Sequence, residues 1–458
     1  MMILCAAELA ALYTAAKWTV ALAVGAFAVF LIAAFPRFGR REQFLLVLSI
    51  GLTIAVAYRV PDPSDLYATA FDRAAFLAAF MILLALLREG AVQSPSVLAV
   101  GSYLTQQPPS RRYLSIHLGG HALGLLLNFG SLNLLGPLIM RGVAASTANP
   151  AVAEIRIERQ ISALSRGFSW MVAWSPTAIT QALVFAVVPG IDPVRMILIG
   201  LILVALTSLA GWGLDGLTGR RARRIIPPDA RPQFTGNVPF PSRSAAHFGL
   251  VCVCLGGFTG FIMLSTGVTT VPALMLAAPV VTGLWIYRQS AGALDRKIVL
   301  RGRLKEVAFR SVPSGSPEAA TLACAGYCGV TAAGLVDPIT FSNWAALPHW
   351  PETALYGAAM LLPLLLSNFG LPPLMVITFF GTLLSDLPGL DFDPTLLAMA
   401  FCVGWALNLT GSPFGVTAVI LARITGRPGR DLTWRWNGSY TAVTLGISTL
   451  VLFGIAGL

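Results

Sequence analysis

Apolar stretches about as long as a bilayer is thick recur from one end of this chain to the other. Some 20 such residues wound as helix span roughly 30 Å, and a soluble fold has no use for so many of them. Ten candidate spans are legible: 10–35, 43–60, 71–88, 160–188 and 193–217, then 246–266, 269–287, 318–336, 394–422 and 437–457. Charged residues make up 11% of the 458 and hydrophobic residues 56%, whereas a soluble domain carries about a quarter charged. Lipid must be the solvent for most of the surface, which excludes a peripheral protein with one anchor. The expected fold is an all-α polytopic membrane protein.

Two further apolar segments, 113–140 and 354–384, are interrupted near their centres by Asn, Gly and Pro. Backbone polar groups in lipid must be satisfied internally, so each is read as a re-entrant hairpin. Loop charge supports that reading. The net charge of +11 sits in alternate loops, for example Arg37, Arg40 and Arg41, then Arg296, Lys297, Arg301 and Arg303, then Arg423, Arg427 and Arg430. Loops between them carry Asp62 and Asp65, or Asp386, Asp391 and Asp393. With ten spans and two hairpins that do not cross, every basic loop falls on one side. Basic residues collect on the cytoplasmic side, which places both termini outside a cell (inner) membrane. The same charge needs no nucleic-acid partner. The basic linker 218–245 then separates two halves, 1–217 and 246–458, of five spans each. An odd number of spans turns the second half upside down, the inverted-repeat plan of many transporters.

The halves share local sequence. LLLNFGSLNLLGPL (125–138) and LLLSNFGLPPLMV (364–376) each set Asn-Phe-Gly at the hairpin tip. FSWMVAWSPTAITQ (168–181) and FCVGWALNLTGSPFGVTAV (401–419) each set Ser-Pro inside a long apolar helix. Pro176 and Pro413 cannot donate to a helix ladder and clash with the preceding turn, so 160–188 and 394–422 should break there. A break exposes amides at one half-helix end, where an anion can bind, and carbonyls at the other, where Na⁺ can. Candidate substrate ligands are Asn128, Gly130, Ser131, Ser175, Thr177, Ser367, Asn368, Gly370, Thr410 and Ser412. Asn128, Ser175, Ser367, Asn368, Thr410 and Ser412 are also candidate ion ligands. Tips and breaks meeting near the midplane would form one substrate site flanked by ion sites. A lone Pro in a span more often only kinks it; two matched pairs favour a site.

On these motifs, and on the approach REGAVQSPSVLAVGSYLTQQPPSRRYLSIHLGGHALGLLLNFG (88–130), the chain resembles the ion transporter superfamily. That group includes divalent anion/sodium symporters, citrate and arsenite carriers and sodium/proton antiporters. The resemblance implies a substrate domain moving as a rigid body across the bilayer, an elevator, usually in a homodimer. In the dicarboxylate branch both tips carry Ser-Asn-Thr; here they read Leu127-Asn128-Phe129 and Ser367-Asn368-Phe369. The phenylalanines suit either a less polar or aromatic substrate or packing against the scaffold.

His117 and His121, four apart on one helical face, are either a proton relay or a packed pair hydrogen-bonded to backbone. Asp337 and Asp386, near the outer ends of spans, read as helix caps or wetted-loop residues ahead of a role in proton coupling, and Glu8 is similarly ambiguous. Residues 289–312 read as an interfacial amphipathic helix. The six cysteines lack zinc spacing and read as small core residues. The first residues read as the start of a span and not a removable signal. No phosphate-binding glycine loop, zinc signature or nucleophilic triad is legible, so neither an enzyme nor a resident cofactor is expected. The sequence points to a secondary active transporter of a small anionic organic solute, coupled to Na⁺ or H⁺. The alternative is an ion/proton antiporter or metalloid oxyanion exporter of the same fold.

Overall fold

The computed structural model describes residues 1–14, 16–145, 147, 149–225, 239–292, 295–345, 347, 350–385, 387 and 390–457. Asp386 and the middle of the 218–245 linker lie outside these. Among the described residues there is helix and no strand. Eight helices among the described residues are long and apolar enough to cross a membrane, or nine if Ser316–Gly334 and Pro338–Trp344, bent by 80°, form one span. The chain is an all-α polytopic membrane protein.

The first half runs α1 (Met2–Thr14), α2 (Lys17–Ala34), α3 (Arg40–Arg59), α4 (Ser64–Val92), α5 (Pro95–Thr105), α6 (Pro109–Leu127), α7 (Gly130–Ala144), α8 (Pro150–Trp170), α9 (Ile179–Val187) and α10 (Pro193–Ile225). The second runs α11 (Ser242–Thr266), α12 (Thr270–Gln289), α13 (Arg296–Glu306), the short turn α14 (Val312–Ser314), α15 (Ser316–Gly334), α16 (Pro338–Trp344), α17 (Glu352–Ser367), α18 (Pro373–Ser385), α19 (Pro394–Gly411), α20 (Val416–Thr425) and α21 (Trp436–Ala456).

One expected span is corrected. The stretch 10–35 is not one helix but α1 and α2, which lie against each other. Lys17 stands at the break as its one charge, too little to lower the mean hydropathy of so apolar a stretch. Threonine hydroxyls accompany it: Thr14 donates to Ala10 O and Thr19 to Ala16 O, each at 2.6 Å, local bonds that let a chain leave a helix cheaply.

Start signals for the two long broken helices match. At α8, Asn149 Oδ1 accepts from the amides of Ala151 and Val152, with Pro150 in the first turn. At α19, Asp393 Oδ1 accepts from Thr395 and Leu396, with Pro394 next. A side-chain acceptor satisfies amides that have no intrahelical partner, and proline has none to satisfy. Asp337 likewise caps α16 through the Thr340 amide, 2.9 Å away.

The helices pack as two groups. α4 and α15 lie side by side, with α3 against α15 and α12 against α4. Gly326 and Gly334 permit that approach; a Cβ at either would come within 2.5 Å of Leu77 or 2.4 Å of Leu66. The other group joins α6, α8 and α10 to α17, α19 and α21, with α19 buried along its whole length. The groups meet where α18 crosses α15: a Cβ on Gly329 would lie 2.4 Å from Thr378 Cβ.

Candidate functional site

The first hairpin turns at Asn128, whose φ of 49° and ψ of −130° belong to a corner that glycine adopts most cheaply. It is the only non-glycine residue with positive φ among the described residues. Ser131 Oγ donates back to Asn128 O at 2.8 Å and starts α7. The tip rests on α4: a Cβ on Gly130 would stand 3.2 Å from Arg88 Cδ. Asn128, Phe129, Gly130 and Thr177 line a narrow cleft of about 30 Å³ with Arg88 and Glu318. Arg88 is half-buried, Glu318 is exposed, and leucines line the remainder. Arg88 and the amide end of α7 thus border the same space, where the Glu318 carboxylate offsets part of the positive charge that an anion would meet.

Both long helices break at their Ser-Pro. In the first half Ser175 Oγ and Thr177 Oγ1 lie 2.7 Å apart, and the Thr177 amide donates to Ser175 Oγ at 3.3 Å. In the second, Ser412 is extended before Pro413, as a residue preceding proline prefers. Its hydroxyl donates to Ser367 O at 3.2 Å, joining the break to the second hairpin tip. That tip is well tied. Asn408 Nδ2 donates to Ser367 Oγ. Asn368 Nδ2 donates to Leu364 O at 2.7 Å, and Trp434 Nε1 donates to Asn368 Oδ1 at 3.3 Å. Gly370 closes the turn at φ 90°. Thr410 Oγ1 meets Thr441 Oγ1 at 3.0 Å. The candidate residues therefore gather into two clusters, one per half, and no hydrogen bond among the described residues joins them. Each tip phenylalanine has a different fate: Phe129 packs on Phe168 with centroids 5.2 Å apart, while Phe369 is 85% exposed.

The structure adds residues that the sequence reading passed over. Thr180 and Thr417, each five residues after the break serine, are buried hydroxyls without a hydrogen-bond partner. Gly167 and Gly404, each eight before it, let the first hairpin arm touch the broken helix: a Cβ would come within 2.0 Å of His117 O or 2.7 Å of Met360 O. The shared pattern Gly-x7-Ser-Pro-x3-Thr stands in both halves and could have been found by aligning them on Ser-Pro. Arg166 on α8, also passed over, is buried and bonds to Asn437 and Trp436 of α21.

His121 is held at both ring nitrogens. Trp174 Nε1 donates to its Nε2 at 2.7 Å, so its Nδ1 carries the proton given to Gly167 O at 3.1 Å. His117 sits between Ser208 Oγ, 2.9 Å from Nε2, and the Tyr113 ring. These contacts favour the packed reading of the pair. Glu8 is buried with Oε2 unpartnered. Among the described residues no group of three or more His, Cys, Asp or Glu could hold a metal. A larger cavity between α1, α2 and α14 is lined mainly by apolar side chains and contains none of the groups above.

The same chain fold occurs in a known structure. The YdaH transporter of Alcanivorax borkumensis, whose crystal structure is described as revealing an unusual topology, aligns at a TM-score of 0.53 and 15% identity. The alignment covers 92% of this chain and 98% of that one. At that identity the likeness is one of fold. No protein-family model matches the chain. No curated protein matches it.

Proposed function

We propose that this chain is a secondary active transporter that carries a small anionic organic solute, coupled to Na⁺ or H⁺. The observation that carries the reading is the matched pair of breaks. Each places an unpartnered buried hydroxyl, Thr180 or Thr417, one turn beyond a proline-interrupted helix. A hydroxyl left without a partner away from water is costly, and a ligand or ion relieves that cost. The fold shared with a transporter supports the reading. The anion would bind between Arg88 and the first hairpin tip, with Asn128 and Thr177 as further ligands, once movement of the tip against α4 widens a cleft that holds about 30 Å³ as it stands. The second cluster, with Ser367, Asn368, Thr410 and Ser412, would hold the coupling ion.

The two halves are proposed as inverted repeats, and the group α6–α10 with α17–α21 as the moving body. It would slide against the α4–α15 scaffold at the Gly130–Arg88 and Gly329–Thr378 contacts. Both termini would lie outside an inner membrane, in a homodimer. Counterflow in proteoliposomes tests the carrier: saturable exchange of a labelled carboxylate is expected, and flux without saturation would favour a channel. Thr417→Val keeps the shape and removes only an unbonded hydroxyl, so it should leave stability intact and abolish any stabilisation by Na⁺. An unchanged Na⁺ response would remove Thr417 from the ion site.

A further inference from the structure

The two breaks are alike in sequence and unlike in what fills them. Proline leaves two carbonyls at the end of each first half-helix without their helical donors. In the first half these are Val172 O and Ala173 O. Both are occupied: the buried Gln181 side chain donates from Nε2 to them at 3.3 and 3.0 Å. Aligned on Ser-Pro, the matching carbonyls of the second half are those of Leu409 and Thr410. No donor, backbone or side chain, reaches either among the described residues. The residue aligned with Gln181 is Ala418, which has no side-chain amide to offer. Oxygens crowd this break: the place of a Cβ on Gly415 lies 3.1 Å from Ser412 O, 3.2 Å from Asn408 O and 3.4 Å from Asn408 Oδ1. Thr417, two residues after Gly415, keeps its buried Oγ1 without a hydrogen-bond partner.

Resting on the carrier reading above, we propose that the Gln181 amide takes the place of a cation in the first half, so that the second-half break is the chain's single cation site. The chemistry is an exchange of equivalents. Two carbonyls facing a buried space need positive charge or N–H donors. An amide nitrogen supplies donors permanently, and a hard cation such as Na⁺ supplies charge reversibly. A permanently filled break cannot couple transport to a gradient; an open one can.

The test uses the full-length protein in detergent, with NaCl against choline chloride as the probe and thermal unfolding as the readout. Gln181→Ala uncovers the two carbonyls beside Thr180. It should lower Tm by a few degrees in choline and recover most of that in Na⁺, with a second Na⁺-binding event in titration. Gln181→Leu, which fills the space without a donor, should lose stability and gain no Na⁺ response. A Gln181→Ala protein that responds to Na⁺ no more than the wild type overturns the role of Gln181, whatever the wild type does. A wild type indifferent to Na⁺ beside a responsive Gln181→Ala variant would uphold that role and remove the second-half site, and with it Na⁺ as the coupling ion.

Discussion

Arg166 Nε donates to Asn437 Oδ1 at 2.8 Å, across 271 positions of sequence, and so fastens the broken helix of the first half to the last helix of the second. The same guanidinium reaches Trp436 O at 3.0 Å and lies 4.7 Å from the centre of the Tyr440 ring. Its charge is kept from water by polar contacts and a ring face, with no carboxylate in a salt bridge to it among the described residues. Replacing Asn437 by Leu strips a partner from a buried charge and should cost about 2–3 kcal/mol. Thermal unfolding of the purified protein measures this. A loss no greater than that of an exposed control such as Asn133→Leu would show that the contact does not hold the halves together.

Gly167→Ala should be among the most damaging single-methyl additions in the molecule. The new carbon would sit 2.0 Å from His117 O, a backbone atom that cannot swing away, so α6 and α8 must separate at a cost of about 3 kcal/mol. Gly213→Ala, with nothing within 4 Å, should be neutral or stabilise by about 0.5–1 kcal/mol as a helix residue gains stiffness. Equal effects at the two positions would contradict the close approach.

Asn128 separates stability from function. A non-glycine residue in its conformation stores about 1–3 kcal/mol of strain. Asn128→Gly should therefore raise Tm while it lowers uptake in proteoliposomes, because the amide has gone and the backbone has not changed. Uptake retained in full would confine Asn128 to a structural role.

Arg88 is the half-buried cation in the cleft at the first tip. Arg88→Gln should raise the KM for an anionic solute about tenfold, the worth of one hydrogen bond to a charged group. Arg88→Lys should recover part of that loss. A kcat that falls with KM unchanged would assign Arg88 to movement of the tip against α4 and away from recognition.

Much of the architecture is legible in local chemistry. Composition alone makes lipid the solvent, since too few charges exist to coat this chain in water. Pro176 and Pro413 point to breaks because each removes a helix donor beside a serine whose hydroxyl accepts from an amide just past the break, whereas Pro137, Pro279 and Pro363 sit inside helices that continue. Asn149-Pro150 and Asp393-Pro394 announce helix starts for a similar reason. The hairpin tips were legible from Asn-Phe-Gly in both halves. The stretch 10–35 misleads because its break is bridged by the Thr14 and Thr19 hydroxyls, 3.3 Å apart, and a single lysine there leaves the mean hydropathy high.

What the sequence could not decide is who satisfies whom. Gln181 reads as an ordinary polar residue until folding lays its amide on Val172 and Ala173. Thr180 and Thr417 look like any threonines until their surroundings leave them without partners. The sequence sets where backbone groups are freed, because that depends on neighbours along the chain. Only the packed structure sets which of them stay free, because that depends on residues brought in from elsewhere.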